Sequence, residues 1–126
     1  MKLNHVNLPV ADVGATRDFF ARYFGLKTVM ELPRNTMAML QDEGGMVLIL
    51  SHFDKADGEV EHHRDFHVGF FLDTREEVDA VHAEMIAGGI EAEAPKKMPG
   101  RYAFYVKAPG GFVTEVASFE GAAWAS

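Results

Sequence analysis

The first stretch of the chain alternates strictly. Val6, Leu8 and Val10 share one parity, and His5, Asn7 and Pro9 share the other, which predicts a strand over residues 3–10 with one apolar and one mixed face. Asp12 follows as a helix N-cap. Ala15, Phe19, Phe20, Tyr23 and Phe24 then recur at helical spacing as one buried stripe, and Gly25 ends the helix. Three extended runs come next, at 27–32, 36–41 and 46–51. Pro33-Arg34-Asn35 and Glu43-Gly44-Gly45 supply the turns between them.

Residues 52–65 are polar and lack apolar periodicity, so they read as a connecting loop. Then the order repeats. Phe66, Val68, Phe70 and Leu72 alternate with His67, Gly69 and Phe71. Thr74 with Glu77 three residues later is a capping-box signature. Val78, Val81, Met85 and Ile86 form the second helical stripe, closed by Gly88-Gly89. Extended runs are expected at 90–94, 102–107 and 112–118, with Lys96-Lys97-Met98-Pro99-Gly100-Arg101 as a basic loop and Pro109-Gly110-Gly111 as the last hairpin turn.

The halves match at an offset of roughly 62 to 66 residues: His5-Val6 with His67-Val68, Gly25-Leu26 with Gly89-Ile90, Gly44-Gly45 with Gly110-Gly111. The expectation is an α+β fold of two tandem βαβββ modules, one about 1–52 and the other about 65–119, within a single domain over 1–126. Neither half is large enough to cover its own sheet. Together they are expected to form a curved, partly closed mixed β-sheet, with helices near 12–24 and 74–87.

Charge and composition narrow the function. The net charge is −7 and the sequence pI about 5.3. No basic face is available to neutralise phosphates, which argues against a nucleic-acid partner. The chain has no cysteine, which excludes disulfides, thiolate zinc sites and a Cys nucleophile. No run approaches the ~20 apolar residues of a membrane helix, and the first residues lack the apolar stretch of a signal peptide. A cytoplasmic location with no membrane partner is the default expectation. Ten Phe and seven Met are many for 126 residues; they fill a core, and a surplus suits an apolar pocket.

The pattern resembles the vicinal oxygen chelate superfamily, which includes glyoxalase I, extradiol dioxygenases, methylmalonyl-CoA epimerase, fosfomycin resistance enzymes and bleomycin resistance proteins. The residues that carry the resemblance are Leu3-Asn4-His5-Val6-Asn7-Leu8-Pro9-Val10-Ala11-Asp12, the aromatic helix after them, Phe24-Gly25-Leu26, Phe66-His67-Val68-Gly69-Phe70, and Ala108-Pro109-Gly110-Gly111-Phe112-Val113-Thr114-Glu115-Val116. The resemblance spans residues 3–118. It is specific for the fold and weak for activity, because one fold hosts many chemistries.

The resemblance implies metal ligands on the first and last strands of each module. Those positions are His5, Ile49, His67 and Glu115. Ile49 cannot bind a metal. The other three form a two-His, one-carboxylate set suited to a divalent ion with open coordination positions, with Fe, Mn, Zn or Ni as candidates. Parity agrees: His5 and His67 lie opposite the residues expected to face the helices. A lone inward His is more often a hydrogen-bonded core residue than a ligand, but three such residues at three family positions outweigh that reading. The adjacent His62-His63 pair falls in the loop and reads as solvated.

Around this set, Glu115 is the expected catalytic group. Phe71 and Tyr105 are candidate substrate-binding residues, as is Arg101, whose basic loop in similar proteins borders the ligand cleft and suits an anionic substrate; the plainer reading of that loop is a solvated hairpin. Met37 and Met39 are equally suited to a cleft or to an ordinary core. The functional expectation is a divalent-metal-dependent enzyme binding two adjacent oxygens of a small molecule: a lyase, isomerase, dioxygenase or epoxide-opening enzyme. Four-ligand glyoxalase I fits less well because of Ile49. Fosfomycin is disfavoured as substrate, because the serine-containing anion loop of those enzymes is missing and Asn7 stands where they usually have Thr. The alternative is a metal-free protein that sequesters a small molecule or antibiotic, as bleomycin resistance proteins do. A homodimer is expected in either case, since a symmetric partner covers exposed sheet edges, and Trp124 in the C-terminal tail is suited to pack on a partner.

Overall fold

The computed structural model of the protein describes residues 1–53 and 60–120; Trp124 lies outside them. The chain forms two compact units, Met1–His62 with Ala108–Gly111, and His63–Lys107 with Phe112–Ser126. Among the described residues, each carries one four-stranded mixed sheet and one helix.

In the first unit, β1 (His5–Pro9) leads into α1 (Val13–Phe24), then β2 (Lys27–Leu32), β3 (Met37–Gln41) and β4 (Val47–Ser51), with spatial order β1-β4-β3-β2. β1 runs parallel to β4; the other pairs are antiparallel. The second unit repeats this with β5 (His67–Leu72), α2 (Arg75–Ala87), β6 (Lys96–Met98), β7 (Arg101–Lys107) and β8 (Val113–Ser118), in the order β5-β8-β7-β6. These are the two βαβββ modules that the alternation and its repeat predict.

The local chemistry explains the boundaries. Asp12 caps α1 by accepting from the Ala15 backbone N–H at 3.0 Å, and Gly25 ends it at φ 68°, a left-handed conformation that costs glycine little. Thr74 caps α2 by accepting from the Glu77 N–H at 3.2 Å, and its hydroxyl donates to the Glu77 carboxylate at 3.0 Å. The Pro33–Asn35 turn places Arg34 and Asn35 at φ 62° and 60°, the double positive φ that matches the twist of a β-hairpin. α1 lies across β2, β3 and β4, burying Phe19, Phe20 and Tyr23 together with Leu8, Leu40 and Leu50. α2 lies across β5, β7 and β8 over Phe104, Val106 and Val116, with Val78 and Met85 buried beneath it. Each fully buried side chain of this size contributes about 1.5–3 kcal/mol of transfer free energy.

Three readings need correction. Residues 90–94 form no strand, although their composition suggests one. Ile90 is used instead to fasten the end of α2: its N–H reaches the Met85 carbonyl at 2.9 Å, beside Gly89 at φ 83°. The carbonyl of Ala92 faces the α2 side chain His82, whose Nε2 lies 3.4 Å away. The first of the three strands after α2 is instead the short β6, inside the stretch that reads as a basic loop. Ile86, which spacing puts in the buried stripe of α2, is 49% exposed.

Candidate functional site

The register of the second sheet assembles a polar cluster on the face turned away from α2. β8 lies between β5 and β7, and Glu115 stands opposite Gly69 on one side and Tyr105 on the other. Alternation places His67, Gly69 and Phe71 on this face; they are exposed, while Val68, Phe70 and Leu72 are half-buried on the side of the helix. Arg101, at the start of β7, shares parity with Tyr105 and so presents its side chain to the same face.

Glu115 is 7% exposed. A carboxylate so buried must have partners, and it has two on one oxygen. The Tyr105 hydroxyl donates to Oε2 at 2.6 Å, and Arg101 Nε donates to the same atom at 2.9 Å. Arg101 Nη2 donates to the Tyr105 hydroxyl at 2.7 Å, closing a triangle, and Nη1 donates to the Pro99 carbonyl at 3.2 Å. The bonds to Tyr105 and then to Glu115 hold the Arg101 guanidinium above its already high range, so it is a permanent cation here. Burial, and then the bond to Glu115, push the Tyr105 phenol above the usual tyrosine range, so it stays a proton donor.

The other carboxylate oxygen faces His67. The His67 Nδ1 lies 3.0 Å from the Asp65 backbone carbonyl, which can only accept, so this nitrogen carries the proton in the neutral ring. Nε2 then holds a lone pair, 3.8 Å from Glu115 Oε1. The His67 ring meets the Tyr105 ring edge-on at 6.3 Å. Gly69 keeps this side open: a Cβ built there would sit 3.7 Å from Oε1. His67 and Tyr105 border an open depression also lined by Asp65, Glu91, Glu93 and Lys107.

Of the residues predicted from sequence, the second unit brings together His67, Arg101, Tyr105 and Glu115. Phe71 is one register step further along β5, opposite Ala117, with its ring 4.4 Å from that of Phe119. His5 belongs to the first unit, at the position equivalent to His67. Its Nδ1 lies 2.7 Å from Asn4 Oδ1, so it too presents Nε2 as the lone-pair nitrogen. Ile49, the equivalent of Glu115, stands opposite Asn7 and Met39. His62 is half-buried with Nε2 2.8 Å from the Pro9 carbonyl, tied to the end of β1 rather than fully solvated. His63 is exposed beside Asp65. Sequence reasoning put Arg101 in a loop and missed its pairing with Glu115; its shared strand parity with Tyr105 was the available signal.

The sequence matches the family model described as the Glyoxalase/Bleomycin resistance protein/Dioxygenase superfamily over residues 2–116. The chain belongs to this superfamily. A possible glyoxalase from Bacillus cereus is 40% identical, with 92% of this chain and 97% of that one covered and a TM-score of 0.81. Lactoylglutathione lyase from Agrobacterium tumefaciens is 24% identical, covering 99% and 97%, with a TM-score of 0.76. The fosfomycin resistance protein FosX from Listeria monocytogenes is 19% identical, covering 94% and 93%, with a TM-score of 0.75. These last two likenesses are of fold. No curated protein matches the chain.

The superfamily resemblance implies a divalent metal, and the donor chemistry can be tested against it. Among the described residues no group of three or more His, Cys, Asp or Glu side chains forms a metal cage. Two donors do face each other in the second unit. Nε2 of His67 and Oε1 of Glu115 both present lone pairs, and no hydrogen bond of the protein joins them. The backbone carbonyl on Nδ1 is the outer support that orients a metal-ligating imidazole. The pair therefore fits a cation, with a third donor needed to complete a two-His, one-carboxylate set.

Proposed function

We propose that the chain is a divalent-metal-dependent enzyme acting on a small molecule with two adjacent oxygens. In this reading His67 and Glu115 hold the ion, and His5, from this chain or from a second copy in a homodimer, is the third donor. The observation that carries it is His67 Nε2 set 3.8 Å from Glu115 Oε1, with Nδ1 held against the Asp65 carbonyl. The chemistry that an Fe, Mn, Zn or Ni ion supplies there is Lewis-acid polarisation of the substrate oxygens. The protein's part is orientation. Asp65 fixes the His67 tautomer through its carbonyl, while Arg101 and Tyr105 hold Oε2. Oε1 is the only oxygen of Glu115 with both lone pairs open, so ligation and any proton transfer from substrate both fall to that atom. Phe71 offers an apolar ring at the edge of the same face. Lys107, in the depression beside Tyr105, suits an anionic group of the substrate.

A second reading, a metal-free small-molecule binder, is favoured by one observation: Arg101 already neutralises Glu115 without a metal. Elemental analysis of protein purified without chelator separates the two. The enzyme reading expects bound divalent metal at near one equivalent, lost in His5→Ala, His67→Ala and Glu115→Gln. Metal-free protein that gains no ion on dialysis against Mn(II), Zn(II), Ni(II) or Fe(II) would overturn it in favour of sequestration.

A further inference from the structure

We propose that Arg101 is a built-in counter-cation for Glu115 that restricts the carboxylate to one-oxygen ligation and weakens its grip on a divalent ion. The inference rests on the metal-binding reading of the same site, and it concerns how tightly the ion is held.

Three observations carry it. First, Arg101 Nε and the Tyr105 hydroxyl both donate to Oε2, at 2.9 and 2.6 Å, so both lone pairs of that oxygen are engaged. Bidentate ligation by Glu115 would require breaking this clamp. Second, the guanidinium is braced by two further bonds, to the Tyr105 hydroxyl and to the Pro99 carbonyl. It is seated at the base of β7, not swinging freely at the surface, and its side chain is 24% exposed. Third, the carboxylate it contacts is nearly buried, so its charge is poorly screened there. A second cation on Oε1 shares one carboxylate with the first.

The usual outer partner of a ligating group strengthens metal binding, and its loss costs about 10–100-fold in affinity. A fixed cation in that place acts in the opposite sense, because it withdraws negative potential from the ligand and repels the incoming ion. The arrangement also satisfies the buried carboxylate when no ion is bound, so the fold of the second module does not depend on metal. Arg101 is thus a positioning residue with two effects: it orients Oε1 toward His67, and it keeps the ion exchangeable. The equivalent row of the first module, with Ile49 and Met39, contains no such clamp.

The test is Mn(II) binding to the whole 126-residue chain by calorimetric titration, in wild type, Arg101→Met, Arg101→Gln and Arg101→Lys. Arg101→Met and Arg101→Gln are expected to bind Mn(II) roughly tenfold more tightly than wild type, and Arg101→Lys, which keeps the charge but not the fork of bonds, to fall between wild type and those two. Mn(II) should also raise the melting temperature more in Arg101→Met than in wild type, since only in that variant does the ion relieve an uncompensated carboxylate. Circular dichroism of each variant checks folding, and two neutral substitutions guard against a defect particular to one. If wild type binds Mn(II) and neither neutral variant binds more tightly, the counter-cation role is wrong and the metal reading stands. If none of the four proteins binds any Mn(II), the metal reading falls and this inference falls with it.

Discussion

The two modules share one topology and carry different chemistry in one equivalent row of side chains. In each, the last strand sits between the first and the third, and the central residue of that strand faces the same two neighbours. In the second module the row reads Gly69, Glu115, Tyr105. In the first it reads Asn7, Ile49, Met39. A histidine begins the first strand of both. Yet Arg101 brackets the carboxylate in the second module, while in the first module the Ser51 hydroxyl donates to Asn7 Oδ1 at 2.8 Å. The backbone repeat is therefore insensitive to the chemistry it carries. Alternation, caps and turns specify the sheet, and the face turned away from the helix is left free to hold either an ionic cluster or an apolar row.

The comparison breaks most severely if the ionic row is neutralised. Glu115→Gln should lower divalent-metal affinity by more than about 100-fold, because the ligand charge is lost and the amide nitrogen must face either Arg101 or the ion. The apolar change Ile49→Val at the equivalent position, which adds no donor, should alter that affinity by less than about twofold. Titration of both variants with Mn(II) reads the contrast directly. Equal losses in the two would mean that the rows are not functionally distinct.

A transplant tests the same difference through stability. Ile49→Glu places a carboxylate in the first module opposite Asn7 and Met39, neither of which supplies a cation. The half-buried charge should cost about 2–3 kcal/mol, from a lost apolar side chain and an ill-partnered carboxylate. Adding Met39→Tyr, the counterpart of Tyr105, should recover about 1 kcal/mol. Urea unfolding at neutral pH measures both. A neutral Ile49→Glu would show that the apolar row is not what keeps a carboxylate out of the first module.

Much of this contrast is legible in the sequence, and the illegible part has a physical reason. Parity alone places His67 and Glu115 on one face and Val68 and Phe70 on the other. The Thr74–Glu77 capping box and the Pro33–Asn35 turn are local and survive into the structure as written. The position of β6 is not local. It pairs with β7 through Lys96 opposite Ala103 and Met98 opposite Arg101, and backbone pairing of a short, lysine-bearing edge strand leaves little trace in composition. The apolar Ile90, which looks like the start of a strand, is spent on the end of α2. The Arg101–Glu115 pair depends on the β7–β8 register. That register follows from the conformation of the connecting hairpin, and a slip of one residue would turn Arg101 to the opposite face. The sequence states which residue types are present; only the register states which of them meet.

A smaller effect isolates the hydroxyl of the clamp. Tyr105→Phe removes one of the two donors to Glu115 Oε2 and leaves Arg101 in place, so stability should fall by about 1 kcal/mol at neutral pH. Met39→Leu, at the equivalent position, is a volume-conserving apolar change and should cost less than about 0.5 kcal/mol. If both changes cost the same in urea unfolding, the clamp contributes no more than ordinary packing.

The smallest expected effect is a pH dependence, and its sign follows from the direction of the shift. Burial and the bond to Glu115 raise the Tyr105 phenol above its ordinary value. The folded state therefore holds this proton more tightly than the unfolded chain does. The stabilisation is complete below the ordinary tyrosine pKa of about 10. It is lost as pH rises from there through the raised folded value, because the unfolded chain then releases the proton while the folded one still holds it. Tyr102, raised chiefly by donating to Asp79 at 2.6 Å, adds a loss of the same sign. In a Tyr102→Phe background, unfolding measured at pH 8 and again near pH 11 should thus show a steeper alkaline loss with Tyr105 present than with Phe at that position. The difference should be less than about 1 kcal/mol, since the site is open to solvent on the His67 side. Parallel pH profiles in the two backgrounds would mean that the phenol does not hold its proton for Glu115, and the triangle of Arg101, Tyr105 and Glu115 would reduce to a plain Arg–Glu pair.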